Sequence, residues 1–418
     1  MNNQAPVPSA ALPTRPAIAP PQIQTGTAEF LRVKRALFFG GFSTFALLYC
    51  VQPLMPLFSQ EFQLTPSQSS WSLSISTAAL ALSLLFASAI SDALGRKPLM
   101  CFALFSSAAM TVLCAFAHSY AQLLVCRALL GVVLAGLPAV AMAYLSEEIE
   151  PKSLGYAMGL YIGGSAFGGM SGRVVTSLLS DYLSWRVALL IVGVAGLAAA
   201  AEFLRSLPAS KNFSKRRLSF TAMPAAIRKH FKDEGLPWFF LVGFLLMGCF
   251  VSLYNYISYR LLAPEFGLRQ SEVGAISALY LIGIFSSVWS GKQADKFGRR
   301  RVLWMLIATM LCGLLLTLAH GLVAIVAGIA LFTFGFFGGH SITSSWVGRR
   351  ARPPQALAAA LYLFFYYLGS SIIGSCSGAL WGREGWNGVV AVLAALLGLG
   401  LLVSLRLSRL PLLQTQAA

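Results

Sequence analysis

Apolar stretches of about 20 residues follow one another along the chain, parted by short polar turns. They lie at about 36–57, 71–91, 98–118, 121–145, 155–179, 185–204, 237–260, 273–291, 302–320, 322–347, 356–381 and 387–405. A helix rising about 1.5 Å per residue needs roughly this length to cross about 30 Å of hydrocarbon. The pattern therefore predicts an all-α membrane protein of twelve transmembrane helices, spans 1 to 12. Because twelve is even, both chain ends emerge on the same side of the bilayer.

Composition supports the membrane assignment. Hydrophobic residues make up 57% of the 418 and charged residues 11%, against roughly 45–50% and about 25% in an average soluble domain. Too few polar residues remain to coat a water-soluble globule. The seven cysteines (Cys50, Cys101, Cys114, Cys126, Cys249, Cys312 and Cys376) stand inside apolar stretches with no CxxC pair. They read as small buried hydrophobes, not as disulfides or metal ligands. No G-x-x-x-x-G-K-[ST] loop is present, Gly291-Lys292 being followed by Gln293, which argues against nucleotide-driven pumping. The sequence points to no enzyme, cofactor or metal. Its expected partners are a small-molecule substrate and the lipid bilayer, and the expected state is a monomer.

The formal net charge of +17 would suggest nucleic acid in a soluble chain, but the placement of the charges argues otherwise. Of the 31 lysines and arginines, 25 lie in the N-terminal segment, the connections after spans 2, 4, 6, 8 and 10, and the C-terminus. By the positive-inside rule both termini are cytoplasmic, in a bacterial inner membrane. The expected organisation is a disordered cytoplasmic tail at 1–35, a six-helix bundle at 36–204, a linker at 205–236, a second six-helix bundle at 237–406 and a tail at 407–418. In the linker, Phe220, Met223, Ile227 and Phe231 recur at helical spacing beside Arg228, Lys229 and Lys232. That pattern suits either an amphipathic helix on the inner leaflet or a solvated connection.

The two bundles repeat each other. Ser91-Asp92-Ala93-Leu94-Gly95-Arg96-Lys97 after span 2 returns as Ala294-Asp295-Lys296-Phe297-Gly298-Arg299-Arg300 after span 8, and Gly163, Gly168 and Gly172 of span 5 return as Gly369, Gly374 and Gly378 of span 11. A duplicated six-span unit is a mark of transporters that rock two pseudo-symmetric bundles about a site at mid-membrane. Gly95 and Gly298 fit a turn needing positive φ, and the acids and bases beside them can pair with neighbouring spans, for instance at Glu147 and Glu148. Anchoring by the positive-inside effect alone is the plainer alternative.

The run from Gly291 through Asp295 and Gly298 to Arg299 and Arg300 resembles the loop signature of the major facilitator superfamily. The first-half copy matches except at Ser88 and Ala93. Arg127 with Gly131 resembles the family's second motif. Gly164-x-x-x-Gly168-Gly169-x-x-Gly172 is similar to the third, which marks drug and proton antiporters, with Gly169 where the family usually has proline. The resemblance covers nearly the whole chain beyond the tail. It implies a proton-coupled, multidrug-like efflux antiporter, with a facilitated or uptake carrier for a sugar or organic anion, or a receptor-like member, as alternatives. It also implies a conformational latch at Asp92, Gly95, Arg96, Lys97, Gly291, Asp295, Gly298, Arg299 and Arg300, and a cavity lined by spans 1, 4, 7 and 10.

Inside the membrane none of the 14 acidic residues lies deep in a span, so no carboxylate proton carrier is evident. Arg127 lies roughly 9 Å inside the outer end of span 4, and Arg173 stands at similar height in span 5. Arg127 and His340 are the candidates for proton coupling. Tyr49, Gln52, Arg127, Arg173, Asn255 and Tyr256 are the candidates for substrate contact, the arginines favouring an anionic or hydroxylated solute. Arg173 has a plainer alternative, snorkelling to headgroups or pairing with Asp181. Gly164, Gly168, Gly172, Gly369, Gly374 and Gly378 are expected to let helices approach closely.

Overall fold

The computed structural model describes residues 22–213, 215 and 223–409. Spans 1 to 6 are Ala28–Glu61, Pro66–Leu94, Arg96–Ala115, Tyr120–Glu148, Pro151–Tyr182 and Trp185–Ser206. Spans 7 to 12 are Leu236–Leu262, Gln270–Phe297, Arg299–Leu316, Leu322–Arg350, Gln355–Cys376 and Gly378–Ser408. Ten of these are apolar and long enough to cross a membrane. The two others are span 5, the fifth helix of the first bundle, and span 9, the third of the second. A serine- and glycine-rich face in span 5 and three leading arginines in span 9 dilute their hydropathy.

Local signals set the ends and breaks. Thr27, Ser119 and Ser184 cap spans 1, 4 and 6 by accepting from a backbone N–H of the first turn, and Thr65 forms a capping box with Gln68 at span 2. Span 1 is interrupted. Its first helix ends at Tyr49, and a 3-10 turn at Gln52–Leu54 leads into Met55–Glu61. Pro53 has no N–H to give back to the preceding turn. Span 4 breaks in the same way before Pro138.

The chain enters the first bundle earlier than the hydropathy pattern predicts. The helix begins at Ala28, not near 36, because Phe30 and Val33 are buried on one face while Arg32, Lys34 and Arg35 break the apolar run. Residues 22–27 are also held, since Ile23 donates its N–H to Glu148 O at 2.7 Å and accepts from Glu150 N at 3.2 Å. The expected disordered tail is therefore corrected for residues 22–35, and residues 1–21 lie outside the described part. Span 12 likewise starts at Gly378 and runs to Ser408, bending at Gly385, whose φ is 60°.

The linker contains a helix, Met223–Phe231, and Phe220 lies outside the described residues. The helix packs on the second bundle instead of facing lipid with its whole apolar side. Phe231 packs on Phe240 and Phe365, and His230 Nε2 lies 3.2 Å from Pro354 O. Just beyond, Asp233 Oδ1 receives Gly235 N and Leu236 N at 2.8 Å and pairs with Arg350 Nε at 2.5 Å. Burial works to raise the Asp233 carboxyl. The Arg350 guanidinium and the two N–H donors outweigh it and hold the group below the usual carboxylate range.

Within each bundle the first and fifth helices touch along their glycines. A Cβ at Gly164 would lie 2.6 Å from Phe38 O, one at Gly172 2.8 Å from Ala46 Cα, and Gly168 lies directly against Phe42 O. In the second bundle Gly369 lies on Phe244 O and Gly374 near Val251 and Asn255, whereas Gly378, expected in span 11, opens span 12 and meets the Tyr256 hydroxyl there. Backbones approach this closely only where no side chain intervenes.

Hydrogen bonds between the bundles, among the described residues, all lie at the end away from the termini. Ser59 meets Tyr259 at 2.8 Å, and Ser67 donates to Ser375 O at 3.0 Å. Ser74 meets Ser375 at 2.7 Å, Gln270 donates to Pro53 O at 2.5 Å, and Ser271 donates to Asp181 at 2.5 Å. At this end Gly274 also presses against Ser177.

Candidate functional site

The break in span 1 leaves helix-terminal carbonyls without their usual partners. Arg127, fully buried, fills that gap: Nε donates to Ser72 O at 2.9 Å, one terminal nitrogen to Leu47 O at 2.9 Å and the other to Leu48 O at 2.5 Å. The negative end of the helix favours a cation there. Gly131, one turn on, lies against the Ser76 backbone, and Ser76 donates to Arg127 O at 2.8 Å. This arginine pins spans 1, 2 and 4 together.

Immediately after Gly172, the last glycine of the span 5 contact face, Arg173 enters the seam between the bundles. Its Nε donates to Gln52 Oε1 at 2.6 Å and one terminal nitrogen to Gly169 O at 2.6 Å. The Tyr49 ring lies 4.2 Å from the guanidinium carbon and the Tyr280 ring 4.8 Å. Two aromatic faces compensate the charge in part. No carboxylate pairs with Arg173 among the described residues, and its second terminal nitrogen makes no hydrogen bond there. Asp181, the expected alternative partner, is engaged by Ser271, and Arg173 is 2% exposed, so snorkelling is overturned.

Gln52 carries the contact across the seam. Its Nε2 donates to Asn255 Oδ1 at 2.7 Å and Val251 O at 3.3 Å, and Asn255 Nδ2 donates to Gly374 O at 3.1 Å. Spans 5, 1, 7 and 11 are thus joined by one polar relay. A cavity of about 20 Å³, room for about one water, lies against Gln52, Arg173, Tyr254, Ser258, Gly274 and Ser277. The hydroxyls of Tyr49 and Tyr280 are buried beside this centre without a hydrogen-bond partner among the described residues.

Of the sequence candidates, Tyr49, Gln52, Arg173 and Asn255 are brought together, whereas Arg127 and Tyr256 are not. Tyr256 donates to Gly374 O at 2.8 Å and stacks on Trp381, on the packing side of span 7. His340 lies in an aromatic box, its Nδ1 2.8 Å from the Tyr362 hydroxyl and its ring centroid 4.6 Å from that of Tyr366. Tyr280 and Tyr254 were not singled out by sequence. A tyrosine within a span reads equally well as packing, and a 3-10 turn at Ile276–Leu279 directly precedes Tyr280.

At the terminus-bearing end Gly95 and Gly298 adopt φ of 104° and 86°. Arg96 pairs with Asp92 at 2.7 Å and grips Glu147 through Nε and a terminal nitrogen at 3.1 and 2.7 Å. Lys97 donates to Leu207 O at 2.5 Å. The second copy is looser: Arg299 meets Asp295 at 3.1 Å, Arg300 donates to Ser408 O at 2.9 Å, and Gly291 faces open space. Each of these contacts stays within its own half of the chain. Glu148 caps Asn212 N at 2.9 Å instead of meeting a loop cation.

Two mirrored six-helix bundles meeting at a polar centre within the membrane define a transporter. The family model "Major Facilitator Superfamily" matches residues 37–260 and 253–416, and the chain belongs to that family. The inner membrane transport protein YnfM of Escherichia coli (strain K12) is 48% identical over 387 residues, which is 93% of this chain and 93% of that protein. The uncharacterized MFS-type transporter YybF of Bacillus subtilis (strain 168) is 46% identical over 93% of this chain and 96% of its own. Among solved structures, a bacterial homolog to the human lysosomal transporter Spinster, in an inward-facing and unoccupied conformation, superposes with a TM-score of 0.74. It is 15% identical and covers 92% of this chain and 98% of that one. The chain is a multi-pass membrane transporter and not an enzyme.

Proposed function

We propose that the protein exports a small organic molecule across the inner membrane in exchange for protons, by alternating access, with both termini in the cytoplasm. The observation that carries this reading is the one-sided seam. Among the described residues the hydrogen bonds joining the bundles gather at the end away from the termini, while at the other end Arg96 and Arg299 pair within their own bundles. Such a molecule is sealed outside and receives its solute from inside. The inward-facing state named for the Spinster homolog fits this arrangement, and the 25 of 31 basic residues supply the orientation.

In this account the solute meets Tyr49, Gln52, Arg173 and Asn255 at the seam. Asp92, Gly95, Arg96, Lys97, Gly291, Asp295, Gly298, Arg299 and Arg300 engage across the bundles only when the outer end opens. Arg127 holds the break in span 1 and is not free to carry a proton. In this reading that role is left to His340, whose Nδ1 lies 2.8 Å from the Tyr362 hydroxyl.

A facilitated carrier is the second reading, favoured by the placement of all 14 carboxylates at or near span ends. Vesicles loaded with a pH-sensitive dye separate the two. Addition of a transported solute releases protons under the first reading; transport with no proton movement leaves the second.

A further inference from the structure

We propose that the centre at Arg173 selects organic anions, a carboxylate on a flat apolar body, and that the bound anion opens the outer seam by displacing Gln52. The proposal rests on the carrier reading above and names its substrate class.

The buried charge comes first. A guanidinium taken out of water and left without a carboxylate is costly, and a membrane interior tolerates one only beside a partner or a water-filled path. Arg127 meets that demand with three carbonyls, whereas Arg173 has one carbonyl and one amide oxygen. Its unbonded terminal nitrogen remains a donor suited to a carboxylate oxygen.

Independently, two tyrosine hydroxyls buried beside Arg173, those of Tyr49 and Tyr280, bond to nothing among the described residues. Buried hydroxyls normally find partners, so an orphaned pair at a charged centre marks where a ligand's acceptors belong. The surrounding walls are aromatic: Tyr254 and Phe250 lie 5.3 and 5.5 Å from the Tyr280 ring, centroid to centroid. They suit a planar apolar body.

The same geometry links binding to motion. Gln52 accepts from Arg173 and donates to Asn255, so one side chain holds the cation and the seam together. A carboxylate is a stronger acceptor than a neutral amide. Once it takes the Arg173 donors, Gln52 loses the bond that orients it toward Asn255, and the seam then rests on the separate hydroxyl, amide and Asp181–Ser271 bonds of the outer end. The empty carrier stays sealed, and the loaded one is released.

The test uses the full chain in lipid nanodiscs with three isosteric probes: 3-phenylpropionate, its primary amide and 3-phenylpropylamine. Binding is read by calorimetry and by thermal shift. The expected result is that the carboxylate binds at least tenfold more tightly than the amide or the amine, and that Arg173→Gln removes this preference. Tyr280→Phe, which deletes a hydroxyl that bonds to nothing and so spares the fold, is expected to weaken the carboxylate about tenfold. Equal binding of the three probes, no binding of the carboxylate, or an Arg173→Gln variant that still prefers it overturns the proposal. Selective binding without counterflow of the bound probe in proteoliposomes would instead overturn the carrier reading and leave the anion site standing.

Discussion

Gln52 and Asn255 meet across the seam at 2.7 Å while the same Gln52 accepts from Arg173 at 2.6 Å, so one amide holds together two bundles and a buried cation. Gln52→Leu strands the Asn255 carbonyl and the Arg173 Nε. With buried unpaired groups costing about 1–3 kcal/mol each, the sealed form is expected to lose about 2–4 kcal/mol relative to the open one. A cysteine placed at Ser258, which is 5% exposed beside Gln52, then reacts faster with an impermeant thiol reagent added outside. An unchanged rate would show that this amide does not hold the seam.

Arg127 is predicted to be a stability residue before it is anything else. Arg127→Ala leaves the Leu47, Leu48 and Ser72 carbonyls without their donor and opens a cavity, at a cost of about 3–5 kcal/mol. Lysine does not rescue it, because a single ammonium cannot reproduce the planar fork. Thermal unfolding in detergent checks this. A variant with wild-type stability and abolished proton exchange would return Arg127 to the coupling mechanism.

The glycines of span 5 separate two effects of opposite sign. Gly→Ala in a helix is favourable by up to about 1 kcal/mol where space allows. Gly159, with nothing near its missing Cβ, is therefore expected to accept alanine at no cost. Gly168→Ala drives a methyl into the Phe42 backbone and is expected to lower the melting temperature by several degrees or to abolish expression. Equal behaviour of the two variants would remove close helix approach as the reason for the motif.

Asp233 and Arg350 tie the linker to span 10, and their contribution depends on pH with a definite sign. The folded carboxyl lies below its ordinary value, so its stabilisation is full above about pH 4 to 5 and is lost as the pH falls through the lower folded value. Arg350 is buried and Asp233 partly exposed. Asp233→Asn is therefore expected to cost only about 1–2 kcal/mol at neutral pH, and the gap to the wild type closes in acid. A gap that persists or widens toward pH 3 in thermal melts would contradict the pairing.

Much of the fold was legible because lipid imposes one length and one sign rule on every span, and because the duplication repeats its loop and its glycines at nearly constant offsets. The start of span 1 was hidden by Arg32, Lys34 and Arg35, which break an apolar run without breaking the helix. Gln52, Arg173 and Asn255 stand out as polar residues among apolar ones, but their meeting depends on the bend at Pro53 that turns Gln52 into the seam. The roles of Ser74 and Ser375 were invisible, since a serine in a span reads equally well as packing. Tyr256 and Arg127 were polar for a structural reason, satisfying backbone groups at helix breaks and crossings.

The central claim is that the seam at the end away from the termini must open for transport. Ser74 and Ser375 face each other across it, oxygen to oxygen, at 2.7 Å, close enough for a disulfide after Ser74→Cys and Ser375→Cys in a background freed of the seven native cysteines. The decisive measurement is export from cells of a compound to which the protein confers resistance, before and after oxidation and again after reduction. The account predicts that oxidation stops export and reduction restores it. Full-rate export with the bridge closed would contradict it.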